Sequence, residues 1–137
     1  MGPATRLIDE GTAFYNKGDV EGYCSLYSDD AVLTTPEGRF EGRASVAPYL
    51  EAQFSMLPDV QVAVERRCEA DDLYIGEFRV RGTNSGPLPL PDGGQAPATG
   101  RTVEVRGVEI ARVEDGKIVQ HDMVWDRLSM LEQLGLA

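Results

Sequence analysis

The stretch GVEIARVEDGKIVQHDMVWDRLSMLEQLG, residues 107–135, contains two alternating runs, a tight turn between them and a helical pattern at the end. Successive side chains of a strand point to opposite faces. In the first run, which begins at Thr102, one face carries Val103, Val105, Gly107, Glu109, Ala111 and Val113. In the second, Val119, His121, Met123 and Trp125 oppose Ile118, Gln120, Asp122, Val124 and Asp126. Each strand therefore has one mostly apolar face, interrupted by a single ionisable residue. These residues are Glu109 and His121, the only histidine of the chain.

Whether the two meet depends on the hairpin register. A three-residue turn with Gly116 in the left-handed conformation pairs Val113 with Lys117 and sets Glu109 directly opposite His121. A two-residue Asp115-Gly116 turn instead sets Glu109 opposite Asp122. The first register stacks the apolar stripes and is preferred for that reason. A lone carboxylate in an apolar wall is costly unless protonated or partnered. An adjacent imidazole relieves that cost and makes a proton-transfer couple. Asp122 points to the opposite face, and Asp126 is placed to cap the closing helix over 127–134.

Upstream, the chain reads as helices first and strands later. Ile8, Thr12 and Tyr15, with Ala4, Leu7 and Phe14 beside them, recur at helical spacing over 3–17, and NKGD (16–19) stops the pattern. Asp19 caps a second short helix, VEGYCSLY (20–27). DDAVLTTPEG is a short strand and turn, and 43–56 is a third helix closed by Pro58. Extended segments follow over 59–69, 72–83, 101–113 and 117–126. In 73–82, Tyr74, Gly76, Phe78, Val80 and Gly82 share one face. SGPLPLPDGGQAPATG (85–100) has too many prolines and glycines for a regular element, and a loop of that length is either a rim or lid over a site or a plain surface loop.

At 137 residues the chain is sized for one domain spanning 1–137. Its net charge of −10 argues against nucleic-acid phosphates or an anionic membrane as partners, since both need clustered Lys and Arg. No segment is apolar enough for a signal peptide or a membrane span, so a cytoplasmic location is expected. Cys24 and Cys68 are far apart and belong to no metal or redox motif, and they are expected to be buried free thiols.

The pieces FYNKGDVEGYCSLYSDDAVL, FEGRASVAPYL, FRVRGTNSGPL with the later PATGR, and residues 107–135, taken in this order, resemble the SnoaL-like polyketide cyclase group of the nuclear transport factor 2-like superfamily. The resemblance covers nearly the whole chain. It implies an α+β fold: a cone-shaped barrel in which a curved antiparallel sheet is wrapped by three N-terminal helices, with a short C-terminal helix and a hydrophobic pocket. It also implies homodimers formed through the sheets, and no metal or organic cofactor. Activities in the superfamily include aldol cyclisation of polyketide esters, ketosteroid isomerisation and epoxide hydrolysis, and other members only bind.

The bases known in such relatives are absent here. Met123 stands where the cyclases place an aspartate, two residues after the histidine, and Thr35 where the isomerase and epoxide hydrolase branches place theirs. Asn84 stands where a histidine often follows Gly-Thr. His121 and Glu109 do match.

Three functions fit these residues. The first is a cyclase or isomerase acting on a small, largely apolar carbonyl or polyketide-like compound. Glu109 would be its base, His121 the partner or proton donor, and Tyr15, Asn84 or Tyr74 the donor to an enolate oxygen. The second is a shape-directed cyclase, whose pocket of Tyr74, Phe78, Met123 and Trp125 folds the substrate. The third is a non-catalytic ligand-binding or dimerisation module.

Overall fold

A computed structural model describes residues 2–90 and 92–137. Helix α1 (Pro3–Asn16) begins on Pro3, whose missing N–H is no loss in a first turn. Asp19 accepts a hydrogen bond from the Gly22 N–H at 2.9 Å and so caps α2 (Val20–Cys24). The sequence predicts this helix to run through Tyr27, but it stops at Cys24. Ser25 turns its hydroxyl back onto the Gly22 carbonyl at 2.6 Å. Tyr27 then opens the strand β1 (Tyr27–Thr35). A four-residue strand not foreseen in the sequence, β2 (Gly38–Glu41), returns beside it before α3 (Arg43–Met56).

The remaining strands are β3 (Gln61–Ala70), β4 (Leu73–Thr83), the two-residue pair β5 (Leu88–Pro89) and β6 (Gln95–Ala96), β7 (Thr102–Glu114) and β8 (Lys117–Trp125). Helix α4 (Arg127–Leu134) closes the chain, its first turn capped by Asp126, which accepts from the Ser129 N–H at 3.0 Å. Six strands form one curved sheet in the order β2–β1–β8–β7–β4–β3. All neighbours are antiparallel except β1 and β8, which run parallel, so the expected antiparallel sheet is mixed at that one seam.

Helices α1 and α3 pack against the sheet and bury Ile8, Leu26, Leu33, Val46 and Leu50 with Ala111 and Ile118. A second cluster, Met56, Leu57, Val60, Leu88, Val103 and Leu134, brings α4 and the long loop onto the same sheet. Gln133 ties α4 to the backbone of Glu104 by two hydrogen bonds of 2.7 and 3.0 Å. Both cysteines are free, but Cys24 is only half-buried and Cys68 is exposed, against expectation. Cys68 pairs with Ile75, which is itself exposed, so it lies on the outer side of β3. Among the described residues, no helix is long and apolar enough to cross a membrane.

Candidate active site

The β7–β8 hairpin adopts neither register exactly as read from the sequence. Glu114 pairs with Lys117 across a two-residue turn, with Asp115 at φ 51° and Gly116 at φ 74°, the left-handed pair that suits a right-twisted hairpin. Left uncorrected, that turn would put Glu109 opposite Asp122. A bulge between the Val113–Ile118 and Arg112–Gln120 pairs inserts one residue on β8 and restores the face. Glu109 ends opposite Met123, and His121 opposite Ala111. The two ionisable residues are thus diagonal neighbours on one face, and the small Ala111 side chain leaves the imidazole room to lean across.

They meet. His121 Nε2 lies 2.8 Å from Glu109 Oε1, and both residues are buried. The other ring nitrogen, Nδ1, lies 2.5 Å from the hydroxyl of Tyr27, which is 3.3 Å from the hydroxyl of Tyr23. Burial raises both phenols well above the ordinary tyrosine pKa, so both remain protonated donors. One arrangement satisfies all three contacts with a neutral ring: Tyr23 donates to Tyr27, Tyr27 donates to Nδ1, and the Nε2–H donates to Glu109. In this arrangement the imidazole is neutral and both its nitrogens are committed. Among the described residues, only Oε1 of Glu109 carries a protein hydrogen bond, and Glu109 lines a cavity.

That cavity, of about 90 Å³, lies between the sheet and helices α1 and α3. On the same scale one water needs roughly 10–15 Å³, so there is room for several waters or one small organic molecule. Its walls are Leu7, Ile8 and Tyr15 of α1, Tyr49, Leu50 and Gln53 of α3, Phe78 and Val80 of β4, Val103 and Val105 of β7, and Met123 and Trp125 of β8. Into this apolar lining project Glu109, His121 and Tyr27.

Tyr15, Phe78, Met123 and Trp125 stand at the wall. Two expected wall residues do not. Asn84 is wholly buried at the base of the long loop, where its amide donates to the Met56 and Gly86 carbonyls at 3.1 and 2.8 Å and accepts from Thr99. It pins residues 84–100, with Pro91 lying outside the described residues. Tyr74 is wholly buried off the cavity, its hydroxyl lying where a Cβ on Gly76 would be 2.5 Å away. Burial, reinforced by the charge of Glu109, pushes its pKa up to about 12. Tyr15 reaches the wall, but its hydroxyl is spent on Gln53 Oε1 at 2.6 Å. Thr35 is buried and accepts from the Glu37 N–H at 3.1 Å.

Tyr27 is the member that sequence reading misses. Its signal was the alternation that begins at YSDDAVL, hidden by the assignment of 20–27 to a helix. Among the described residues, no group of three or more His, Cys, Asp or Glu side chains gathers as metal ligands would.

Residues 8–121 match the SnoaL-like domain family. The chain belongs to this family. It is 27% identical to an uncharacterised PhzA/B-like protein of Pseudomonas aeruginosa over 96% of this chain and 90% of that protein. Among solved structures it is similar to IdmH, a proposed polyketide cyclase from Streptomyces antibioticus, with a TM-score of 0.80 and 28% identity over 98% of this chain and 99% of that one. AclR, a proposed hydroxylase from Streptomyces galilaeus, superposes with a TM-score of 0.83 and 26% identity over 98% of this chain and 85% of that one. This SnoaL-like chain shares their fold of helices over a curved sheet.

Proposed function

We propose that this SnoaL-like protein is an enzyme of cyclase or isomerase type that removes a proton next to the carbonyl of a small, largely apolar, polyketide-like compound. One observation carries the reading: a buried carboxylate in an apolar cavity wall, with one oxygen held by the His121 imidazole and the other free of protein hydrogen bonds. Glu109 lines the cavity with one oxygen free of protein hydrogen bonds, so it is placed to accept a proton from a bound substrate. Glu109 is the general base. His121, with both nitrogens committed, positions Glu109 and spreads the charge change into the Tyr27–Tyr23 chain. The proton passes from the substrate α-carbon to Glu109. The enolate then either takes it back at another carbon, as in an isomerase, or attacks a second carbonyl, as in an aldol cyclase. No cofactor is needed for this step.

An ionisable couple at the wall favours acid–base catalysis over a purely shape-directed cyclase, which would need only the apolar lining. The test is hydrogen–deuterium exchange at the α-carbons of 2-indanone in D2O. Exchange faster than in buffer, falling roughly 10²–10⁴-fold in Glu109→Gln, is the expected outcome. Wild-type exchange no faster than in buffer, or full activity in the variant, would refute the assignment.

The second part of the reading is a homodimer through the outer face of the sheet. Ile75 pairs with Ile110 and Val108 with Val124 on that face, and all four side chains are exposed. A contiguous apolar patch of this kind on a sheet is a usual mark of a subunit contact.

A further inference from the structure

We infer that the indole N–H of Trp125 is the donor that holds the substrate's carbonyl oxygen while Glu109 takes the neighbouring proton, so that the site selects an enolisable ketone bound with its oxygen toward β8. This rests on the reading of Glu109 as a base. The wall offers several donors, and nearly all are spent. Tyr15 donates to Gln53, Thr12 to the Ile8 carbonyl at 2.9 Å and Tyr49 to Glu37 at 2.9 Å. Tyr27 is committed to His121. Trp125 Nε1 is buried and has no hydrogen-bond partner. The only other buried side-chain polar atom without one among the described residues is the Tyr74 hydroxyl, which lies off the cavity.

A buried donor left idle is costly, and such groups in native proteins call for an explanation in function or bound solvent. Position supplies one. Trp125 opposes Gly107, and Glu109 opposes Met123, so Trp125 and Glu109 are diagonal neighbours on the cavity face of one antiparallel pair. Diagonal partners of this kind have Cα atoms about 7–8 Å apart, within reach of aromatic and long side chains. In the proposed complex the H–C–C=O unit of a ketone spans this diagonal, with the α-hydrogen at the Glu109 end and the oxygen at the Trp125 end. Gly107 keeps the place open: a Cβ there would meet the Phe78 ring at 2.4 Å and the Val124 carbonyl at 2.7 Å. Gln53 has the other uncommitted N–H of the wall, but it is on α3 and partly exposed, where water serves it.

The step balances without a further reactant. The α C–H bond breaks, its electron pair forms the enolate C=C bond while the carbonyl π pair moves onto the oxygen, and the proton forms an O–H bond on Glu109. Trp125 keeps its proton and strengthens its hydrogen bond as negative charge develops on the oxygen.

Trp125 is the only tryptophan, so its indole N–H gives a single 1H–15N cross-peak. That peak is followed while the full-length protein is titrated with 2-indanone and, separately, with the hydrocarbon indane. A downfield shift of the indole proton with the ketone alone is expected, and Trp125→Phe should slow α-exchange of 2-indanone roughly 10²-fold. Equal shifts with both compounds, or none with the ketone, would overturn the assignment. So would undiminished exchange in a folded Trp125→Phe protein, and exchange that still depends on Glu109 would leave the base standing. A ketone-specific indole shift with no exchange in any protein would support Trp125 as the carbonyl anchor and refute Glu109 as the base. If Trp125→Phe does not fold, the wild-type titration alone decides.

Discussion

The two faces of strands β7 and β8 break opposite rules. Inside, where side chains should be apolar, Glu109 and His121 are buried within 2.8 Å of each other. Outside, where they should be polar, Val108, Ile110 and Val124 are exposed, Val124 by 66%. Around that outer patch the charges are paired across strands: Arg79 reaches Glu65 and Glu104 at 3.2 Å each, and Arg106 reaches Glu77 at 3.3 Å. Exposed pairs of this kind contribute little to stability. Polar groups inside and hydrocarbon outside are each unfavourable for an isolated chain. On the proposed reading, the inner face is the ligand site and the outer face the subunit contact.

The largest expected effect lies inside. His121→Leu strands Glu109 without its partner and leaves the Tyr27 hydroxyl without an acceptor, and removing one member of a buried pair costs about 3–5 kcal/mol. Urea unfolding followed by circular dichroism measures it. The double variant Glu109→Met, His121→Leu should recover most of that stability, because no buried charge is left, while remaining inactive. Failure to recover would mean that the pair holds the fold rather than the chemistry.

Tyr27→Phe comes next. It removes one buried hydrogen bond to Nδ1, expected to cost about 1–2 kcal/mol, and frees the imidazole to populate the other tautomer. A smaller effect on stability, within about 0.5 kcal/mol, is expected of Val124→Lys on the outer face. That change should nevertheless convert dimer to monomer in sedimentation, and an unchanged sedimentation coefficient would break the comparison on its outer side.

The last effect is confined to high pH. Burial raises the pKa of all five tyrosines, that of Tyr74 to about 12, so the folded protein holds phenol protons that an unfolded chain loses near pH 10. Above pH 10 the unfolded state binds fewer protons than the folded one, and stability falls as pH rises. The melting temperature should therefore be insensitive to these groups below pH 10 and decline above it. Phenolate absorbance should appear only with unfolding. Phenolate in the still-folded protein near pH 10 would contradict the burial of the network.

Much of the inner face was legible in the sequence because it depends only on strand alternation: Glu109 and His121 interrupt apolar stripes, and Phe78, Met123 and Trp125 follow on the same faces. The Asp126 cap and the extent of α4 were legible from local chemistry. What was not legible depended on non-local pairing. The bulge in β8 that sets Glu109 opposite Met123 has no local signature, since one inserted residue reverses every face beyond it. Tyr27 was hidden because a short capped helix and a strand start share the same few residues. Asn84 and Tyr74 lie on the cavity side by alternation alone, yet loop anchoring claims one and the packing above Gly76 the other.

The central claim is that a neutral His121, fixed by Tyr27, presents its Nε2–H to the base Glu109. As the only imidazole in the chain, His121 can be read directly from its two ring 15N resonances at neutral pH. The expected spectrum has a protonated Nε2, an unprotonated hydrogen-bonded Nδ1, and a shift toward mixed tautomers in Tyr27→Phe. A proton on Nδ1 in the wild type, or a spectrum unchanged in that variant, would contradict the claim.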